Sequence, residues 1–106
     1  MNYTVKNSEN HTVIEVSGVV DRGAVITAAS FIRGLELTFP VSVILDVDGL
    51  EDEKEMFYYA AIINTIKKEI EFAGGTFRIR VRKESLRRYL SMTGLERLFI
   101  FDESHI

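Results

Sequence analysis

A chain of 106 residues with 46% hydrophobic and 27% charged residues has the make-up of one globular domain, which excludes disordered and fibrous classes. Its net charge of −3 excludes a global basic field of the kind that draws in nucleic acid or anionic lipid. The absence of cysteine excludes disulfides, thiolate zinc sites, iron–sulfur clusters and cysteine nucleophiles together.

Thr12-Val13-Ile14-Glu15-Val16 alternates apolar and polar and stops at Gly18, the pattern of a half-buried strand. With a partner strand over residues 3–6 and the turn residues Asn7-Ser8-Glu9-Asn10, residues 3–17 read as a β-hairpin. From Ala24 the period changes. Val25, Ala28, Ala29, Ile32 and Leu35 fall on one helical face, and the predicted helix runs from Ala24 to Leu37 before Pro40 ends the pattern. Val41-Ser42-Val43-Ile44-Leu45 is nearly continuous in apolar, β-branched residues, which suits a central strand.

Residues 46–53, with Asp46, Asp48, Glu51, Asp52 and Glu53, read as an acidic connection. Asp52 with Glu55 resembles a capping box, so a long helix is expected over residues 53–72, about 30 Å in length. Met56, Tyr59, Ala60, Ile63, Ile66 and Ile70 would form its buried stripe, and Gly74-Gly75 would end it. Phe77, Ile79 and Val81 alternate with Arg78, Arg80 and Arg82, the cleanest strand signal in the chain. A last helix is expected over residues 83–93, with Leu86, Tyr89 and Leu90 inward and Gly94 as its cap. Leu98-Phe99-Ile100-Phe101 reads as a short strand or a packed tail, and residues 102–106 as a frayed end. The order is β-β-α-β-α-β-α. Strands separated by helices need crossovers, so an α/β fold with a mixed sheet is predicted: an N-terminal hairpin plus parallel strands, packed with three or more helices.

Catalytic chemistry has little to draw on. His11 and His105 lie near the chain ends, with no glycine-bracketed Ser to complete a triad, and read as two exposed histidines. The glycine pair lacks the spacing and lysine of a phosphate loop. The acidic stretch has the residue types a hard cation wants, but not the spacing of an EF-hand; acids at a helix N-terminus account for it better. No metal or cofactor is expected. The basic cluster Arg78, Arg80, Arg82, Lys83, Arg87 and Arg88 has no interleaved aromatic, and reads as a solvated sheet face paired with carboxylates such as Glu15. No apolar run approaches the roughly 20 residues of a membrane span, and residues 1–30 lack a basic-then-apolar leader pattern. A cytoplasmic protein with no membrane insertion and no nucleic-acid partner is the expectation.

Several segments, in order, resemble the STAS domain of bacterial anti-sigma factor antagonists. Val16-Ser17-Gly18-Val19-Val20-Asp21 looks like the strand-ending G-E-L-D of that family, and the helix after it matches the first helix. Val43-Ile44-Leu45-Asp46-Val47-Asp48-Gly49-Leu50 is similar to its L-D-L-S-G-V strand and turn. Gly74-Gly75-Thr76-Phe77-Arg78-Ile79 resembles its G-G-x-L-x-L strand. The segment Arg87-Arg88-Tyr89-Leu90-Ser91-Met92-Thr93-Gly94-Leu95-Glu96-Arg97-Leu98-Phe99 resembles its R-x-L-x-x-T-G-L-x-x-L-F run, the most specific of the matches. The resemblance covers residues 3–101 and implies a single STAS-like domain over 1–106.

The resemblance implies a non-enzymatic regulatory module that binds a protein partner such as an anti-sigma factor. The implied partner surface comprises Asp21, Asp48, Glu51, Asp52, Glu53, Glu55, Met56 and Phe57. One departure stands out. The family carries a phosphorylatable D-S-S-G at the start of its second long helix, where this chain has Lys54-Glu55-Met56-Phe57; its serine positions fall at Glu55 and Met56. No Ser or Thr occurs in residues 40–64 except Ser42, so the usual phospho-switch is expected to be absent. Glu55 either imitates a phosphoserine, with about one charge against nearly two, or only closes the capping box. Two alternatives stand beside this reading. One is a scaffold or accessory subunit of a signalling or transport complex, using Phe57 and Tyr58 exposed at the helix start. The other is a small-ligand or nucleotide-binding domain using the basic strand face.

Overall fold

The computed structural model describes residues 1–8, 10–35, 37, 41–51 and 57–102, with the side chain of Phe57 outside that description. Among the described residues, four strands and three helices follow one another in the predicted order: β1 Asn2–Asn7, β2 Thr12–Gly18, α1 Arg22–Gly34, β3 Ser42–Leu50, α2 Phe57–Phe72, β4 Thr76–Arg80 and α3 Glu84–Met92, then a 3₁₀ turn Leu95–Leu98. The sheet order is β1-β2-β3-β4. β1 and β2 form the antiparallel hairpin, and β2, β3 and β4 run parallel, as two helical crossovers require.

Register sorts the side chains into two faces. Val5, Ile14, Leu45 and Ile79 lie in one cross-strand row and enter the core. Thr4, Glu15, Asp46 and Arg80 form the next row on the opposite face, because each strand flips direction at every residue. The core cluster joins the first face to Ala24, Ala28 and Ile32 of α1, to Tyr59, Ile62, Ile63, Ile66 and Ile70 of α2, and to Leu86 and Leu90 of α3. α2 packs against both the sheet and α1. That double contact needs a wider apolar stripe than the predicted one, and Ile62 supplies it while Ala60 is only half-buried. Gly74, at φ +95°, closes α2 in the left-handed conformation that glycine tolerates.

Four expectations need correction. β3 does not stop at residue 45. It continues through Asp46, Val47, Asp48 and Gly49 to Leu50, with Val47 and Leu50 buried, so the start of the acidic connection is strand whose polar residues belong to the open face. α1 ends at Gly34, before Leu37. Leu35 is extended at φ −76°, ψ 126°, and both leucines pack on the core from non-helical backbone, which is why the apolar spacing outlasts the helix. Asp102 is not frayed. It is buried, its N–H donates to the Ile79 carbonyl at 2.7 Å, and Phe101 bridges to Ile79 in parallel, extending the sheet by one contact. His11 is half-buried rather than exposed, and His105 lies outside the described residues. Among the described residues, no helix is long and apolar enough to cross a membrane.

Candidate functional site: the strand ends beside the acidic corner

Because β2, β3 and β4 are parallel, their C-terminal ends lie along one edge of the sheet. That edge gathers the β2–α1 loop, the corner after β3, and the β4–α3 connection. Asp21 is the N-cap of α1. Its backbone is extended, and its Oδ1 accepts the Ala24 N–H at 2.8 Å, satisfying one of the free donors of the first turn. Glu51 is exposed, and its N–H donates to the Gly18 carbonyl at 3.0 Å, tying the corner to the β2–α1 loop. Gly49 lies against β2 so closely that a Cβ there would stand 2.8 Å from Ser17 Cβ and 2.9 Å from the Val16 carbonyl oxygen. Only glycine fits that approach, where the β2–β3 register shifts between Glu15 and Ser17.

Asp48 is engaged within the fold. Its Oδ1 accepts the N–H groups of Arg82 at 2.6 Å and Lys83 at 2.9 Å, and its Oδ2 accepts Arg82 Nε at 2.7 Å. Partial burial pushes its carboxyl pKa up. The Arg82 side-chain hydrogen bond, the two backbone N–H bonds and the Arg82 charge outweigh that and hold it below the usual carboxylate value. The same hydrogen bond raises the Arg82 pKa; desolvation opposes it, and the Asp48, Asp46 and Glu15 charges add to it. Lys83 Nζ donates to the Leu50 carbonyl at 2.6 Å.

On the open face, Arg82 also reaches Asp46 at 3.2 Å, and Arg80 lies 3.8 Å from Asp46 and 3.2 Å from Asp102. Arg78 approaches Asp102 at 3.9 Å, and Glu15 takes Lys6 at 3.0 Å. The basic strand is therefore paired with carboxylates as expected, but through Asp46, Asp48 and Asp102; Glu15 makes its ion pair with Lys6. A nucleotide approaching this face meets guanidinium groups already held by acids. A polar cleft of about 410 Å³ opens there, lined by Thr4, Glu15, Ser17, Asp46, Asp48 and Arg82. Among the described residues, no group of three or more carboxylate or imidazole side chains is placed to hold a metal ion.

The structure thus brings Asp21 and Glu51 to one edge as exposed residues and places Asp48 beside them as an internal anchor. Asp52, Glu53, Glu55 and Met56, and with them the capping box, lie outside the described residues, and Phe57 opens the described part of α2. Tyr58 is half-buried against the core rather than exposed, because the first turn of α2 already packs inward. Sequence reasoning missed Lys83 as a tie to the corner and Asp102 as a buried counter-ion. Neither carries a local signal, since both act across 20 or more residues; Asp102 and Arg80 stand 22 apart.

No protein-family model and no curated protein matches the sequence. Solved structures do. An anti-sigma factor antagonist from Mycobacterium paratuberculosis superposes with a TM-score of 0.64 at 20% identity, over 98% of this chain and 87% of that one. A STAS domain protein from Planctomyces limnophilus gives a TM-score of 0.67 at 17% identity, over 93% and 87%. The chain has the STAS fold. A third neighbour, the anti-sigma factor antagonist SpoIIAA, matches in its unphosphorylated form with a TM-score of 0.61 at 15% identity, over 98% and 90%. Its phosphorylated form gives 0.58 over 98% and 94%. At these identities the likeness is one of fold, and in this STAS fold the edge built above is the end of the parallel strands from which α1, α2 and α3 start.

Proposed function

We propose that this chain is a non-enzymatic protein-interaction module of the anti-sigma factor antagonist type, lacking the phosphorylatable serine of that family. The observation that carries this reading is the near full-length STAS fold shared with antagonists, one of which has a phosphorylated and an unphosphorylated form. The partner surface is the edge of exposed Asp21 and Glu51, together with Asp52, Glu53, Glu55, Met56 and Phe57, which follow Glu51 in the sequence. Asp48 acts beneath it. In sequence, residues 46–64 offer no Ser or Thr hydroxyl to a kinase. Glu55 stands where the switch would be, as a cap or as a fixed negative charge.

The test is titration of the chain with a purified kinase-type anti-sigma factor, followed by incubation with ATP and mass measurement. Binding without added phosphate between residues 46 and 64 is expected. The variant Lys54→Asp, Glu55→Ser, Met56→Ser, Phe57→Gly should acquire phosphate on the new serines. Failure of the wild-type chain to bind the anti-sigma factor would overturn the reading, and phosphate on Tyr58 or Tyr59 would overturn the switchless part of it.

A further inference from the structure

β1 and β4 are the two edges of the sheet, and they are finished differently. At β4, Phe101 bridges to Ile79, whose N–H donates to the Ile100 carbonyl at 2.8 Å and whose carbonyl accepts the Asp102 N–H at 2.7 Å. Among the described residues, no strand pairs with the outer side of β1. The hairpin fixes which groups that side presents. The Ser8 N–H donates to the His11 carbonyl at 2.9 Å, and the register runs unbroken from there, so Lys6 with Val13, Thr4 with Glu15 and Asn2 with Ser17 are the hydrogen-bonded pairs. Tyr3, Val5 and Asn7 therefore turn their N–H and C=O groups outward. Sheets blunt such an edge with a proline, a bulge or a charge. β1 has neither proline nor bulge, and its charged residue, Lys6, lies on the open face with its charge answered by Glu15 at 3.0 Å.

We propose that the outer edge of β1 is a self-association surface, on which a second copy of this chain pairs β1 antiparallel with β1 about a two-fold axis at Val5. Outward-facing residues must meet one another, so Val5 can face Asn7, Tyr3 or Val5 of the second copy. Facing Asn7 sets Lys6 against Lys6, a like-charge contact. Facing Tyr3 sets Lys6 opposite Asn2, in a row with Ser17 and Gly49 that holds no acid. Facing Val5 sets Lys6 opposite Thr4, in the row that continues to Glu15 and Asp46. Lys6 then stands two strand spacings, roughly 10 Å between Cα atoms, from Glu15 of the second copy, with only the short Thr4 side chain between. Around the axis the two lysines and two glutamates alternate in sign. On the core face the half-buried Val5 meets Val5 of the second copy, and the apolar rows of the two sheets become one. Tyr3, Val5 and Asn7 meet Asn7, Val5 and Tyr3, each pair exchanging both backbone bonds, about six in all. This edge lies on the far side of the sheet from β4 and does not depend on what the acidic corner binds.

The experiment is sedimentation equilibrium over a wide range of concentration on the wild type, Val5→Pro, Lys6→Glu, Glu15→Lys and an equal mixture of the last two. The wild type should pass from monomer to dimer as concentration rises; a chain that stays monomeric throughout overturns the proposal. Val5→Pro removes an N–H that β2 does not use, so it should melt cooperatively yet remain monomeric. A dimer that survives in Val5→Pro lies elsewhere and overturns the proposal. Lys6→Glu and Glu15→Lys should each weaken the dimer about tenfold, and their mixture should recover it as a heterodimer, which a folding defect in either variant could not produce. A mixture no more associated than its components overturns the charge pairing. Because the chain has no cysteine, single-cysteine variants read the register under mild oxidation. Val5→Cys should cross-link, since a hydrogen-bonded pair on the axis holds its Cα atoms about 5.5 Å apart. Thr4→Cys and Lys6→Cys fall on the axis only in the other two registers and should not. Cross-linking through either of them in preference to Val5→Cys overturns the axis at Val5.

Discussion

Two rows of side chains cross the same sheet one residue apart, and they hold it together by different physics. The inner row is Val5, Ile14, Leu45 and Ile79, continued by Phe101. The outer row is Thr4, Glu15, Asp46 and Arg80, with Asp102 beyond. The inner row excludes water and gains from every apolar area it buries. The outer row sets two acids side by side and needs cations from neighbouring rows, Lys6 and Arg82, to make that tolerable. The first face therefore tolerates changes of shape poorly, whereas the second tolerates shape but responds to charge balance and pH.

The largest break should come on the inner row. Leu45→Ala removes a fully buried side chain from the central strand and is expected to cost about 3 kcal/mol in urea unfolding. Next is the outer row's deepest pair. Asp102 has a side chain only 1% exposed and Arg80 one only 18% exposed, so Arg80→Met leaves a buried carboxylate short of a partner and should cost about 2 kcal/mol. The double variant Arg80→Met/Asp102→Leu should recover much of that. A double variant as unstable as the single would show that the pair itself stabilises the face.

Gly49→Ala tests the seam between β2 and β3. Its Cβ would meet Ser17 Cβ and the Val16 carbonyl, which are held by the sheet, and the expected cost is about 1–2 kcal/mol by thermal melting. Asp48→Asn removes the charge that Arg82 pairs with and should cost about 1 kcal/mol near neutral pH. Because the folded pKa of Asp48 is lowered, its contribution is present above the unfolded value and is lost as pH falls through the folded value. The stability gap between wild type and Asp48→Asn should therefore close only in strong acid; a gap that instead closed between pH 6 and 8 would refute the assignment. The smallest effect is expected from Lys6→Met, whose exposed pair with Glu15 should contribute a few tenths of a kcal/mol and fade in high salt.

The inner row was legible in the sequence because alternation and helical spacing report burial directly. Phe77, Ile79 and Val81 announced β4, and Ile63, Ile66 and Ile70 announced α2, without knowledge of their neighbours. The outer row was not. Asp46 and Asp48 look like loop residues when read locally, and only Arg80 and Arg82, more than 30 positions on, explain why a strand carries them. Asp102 was read as frayed for the same reason. At the candidate edge, Asp21 was legible as a residue of interest, and its position before a helical run is the signal of an N-cap. Asp48 was picked for its charge, yet that charge is turned inward onto Arg82 and Lys83. The tie through Lys83 leaves no trace in local sequence, because a lysine at a helix start predicts nothing favourable by itself.

The sheet order β1-β2-β3-β4 repeats the order of the strands in the chain. A nascent chain leaving the ribosome can therefore add each strand to the outside of what is already paired, and no strand has to be inserted between two others. The apolar row grows at every step, from Ile14 to Leu45 to Ile79. The ionic row does not close step by step: Asp46 emerges before its cations, and Arg80 waits for Asp102, 22 residues later. Synthesis thus passes through an interval in which the hydrophobic side is assembled and the charged side is out of balance, first toward acid and then toward base.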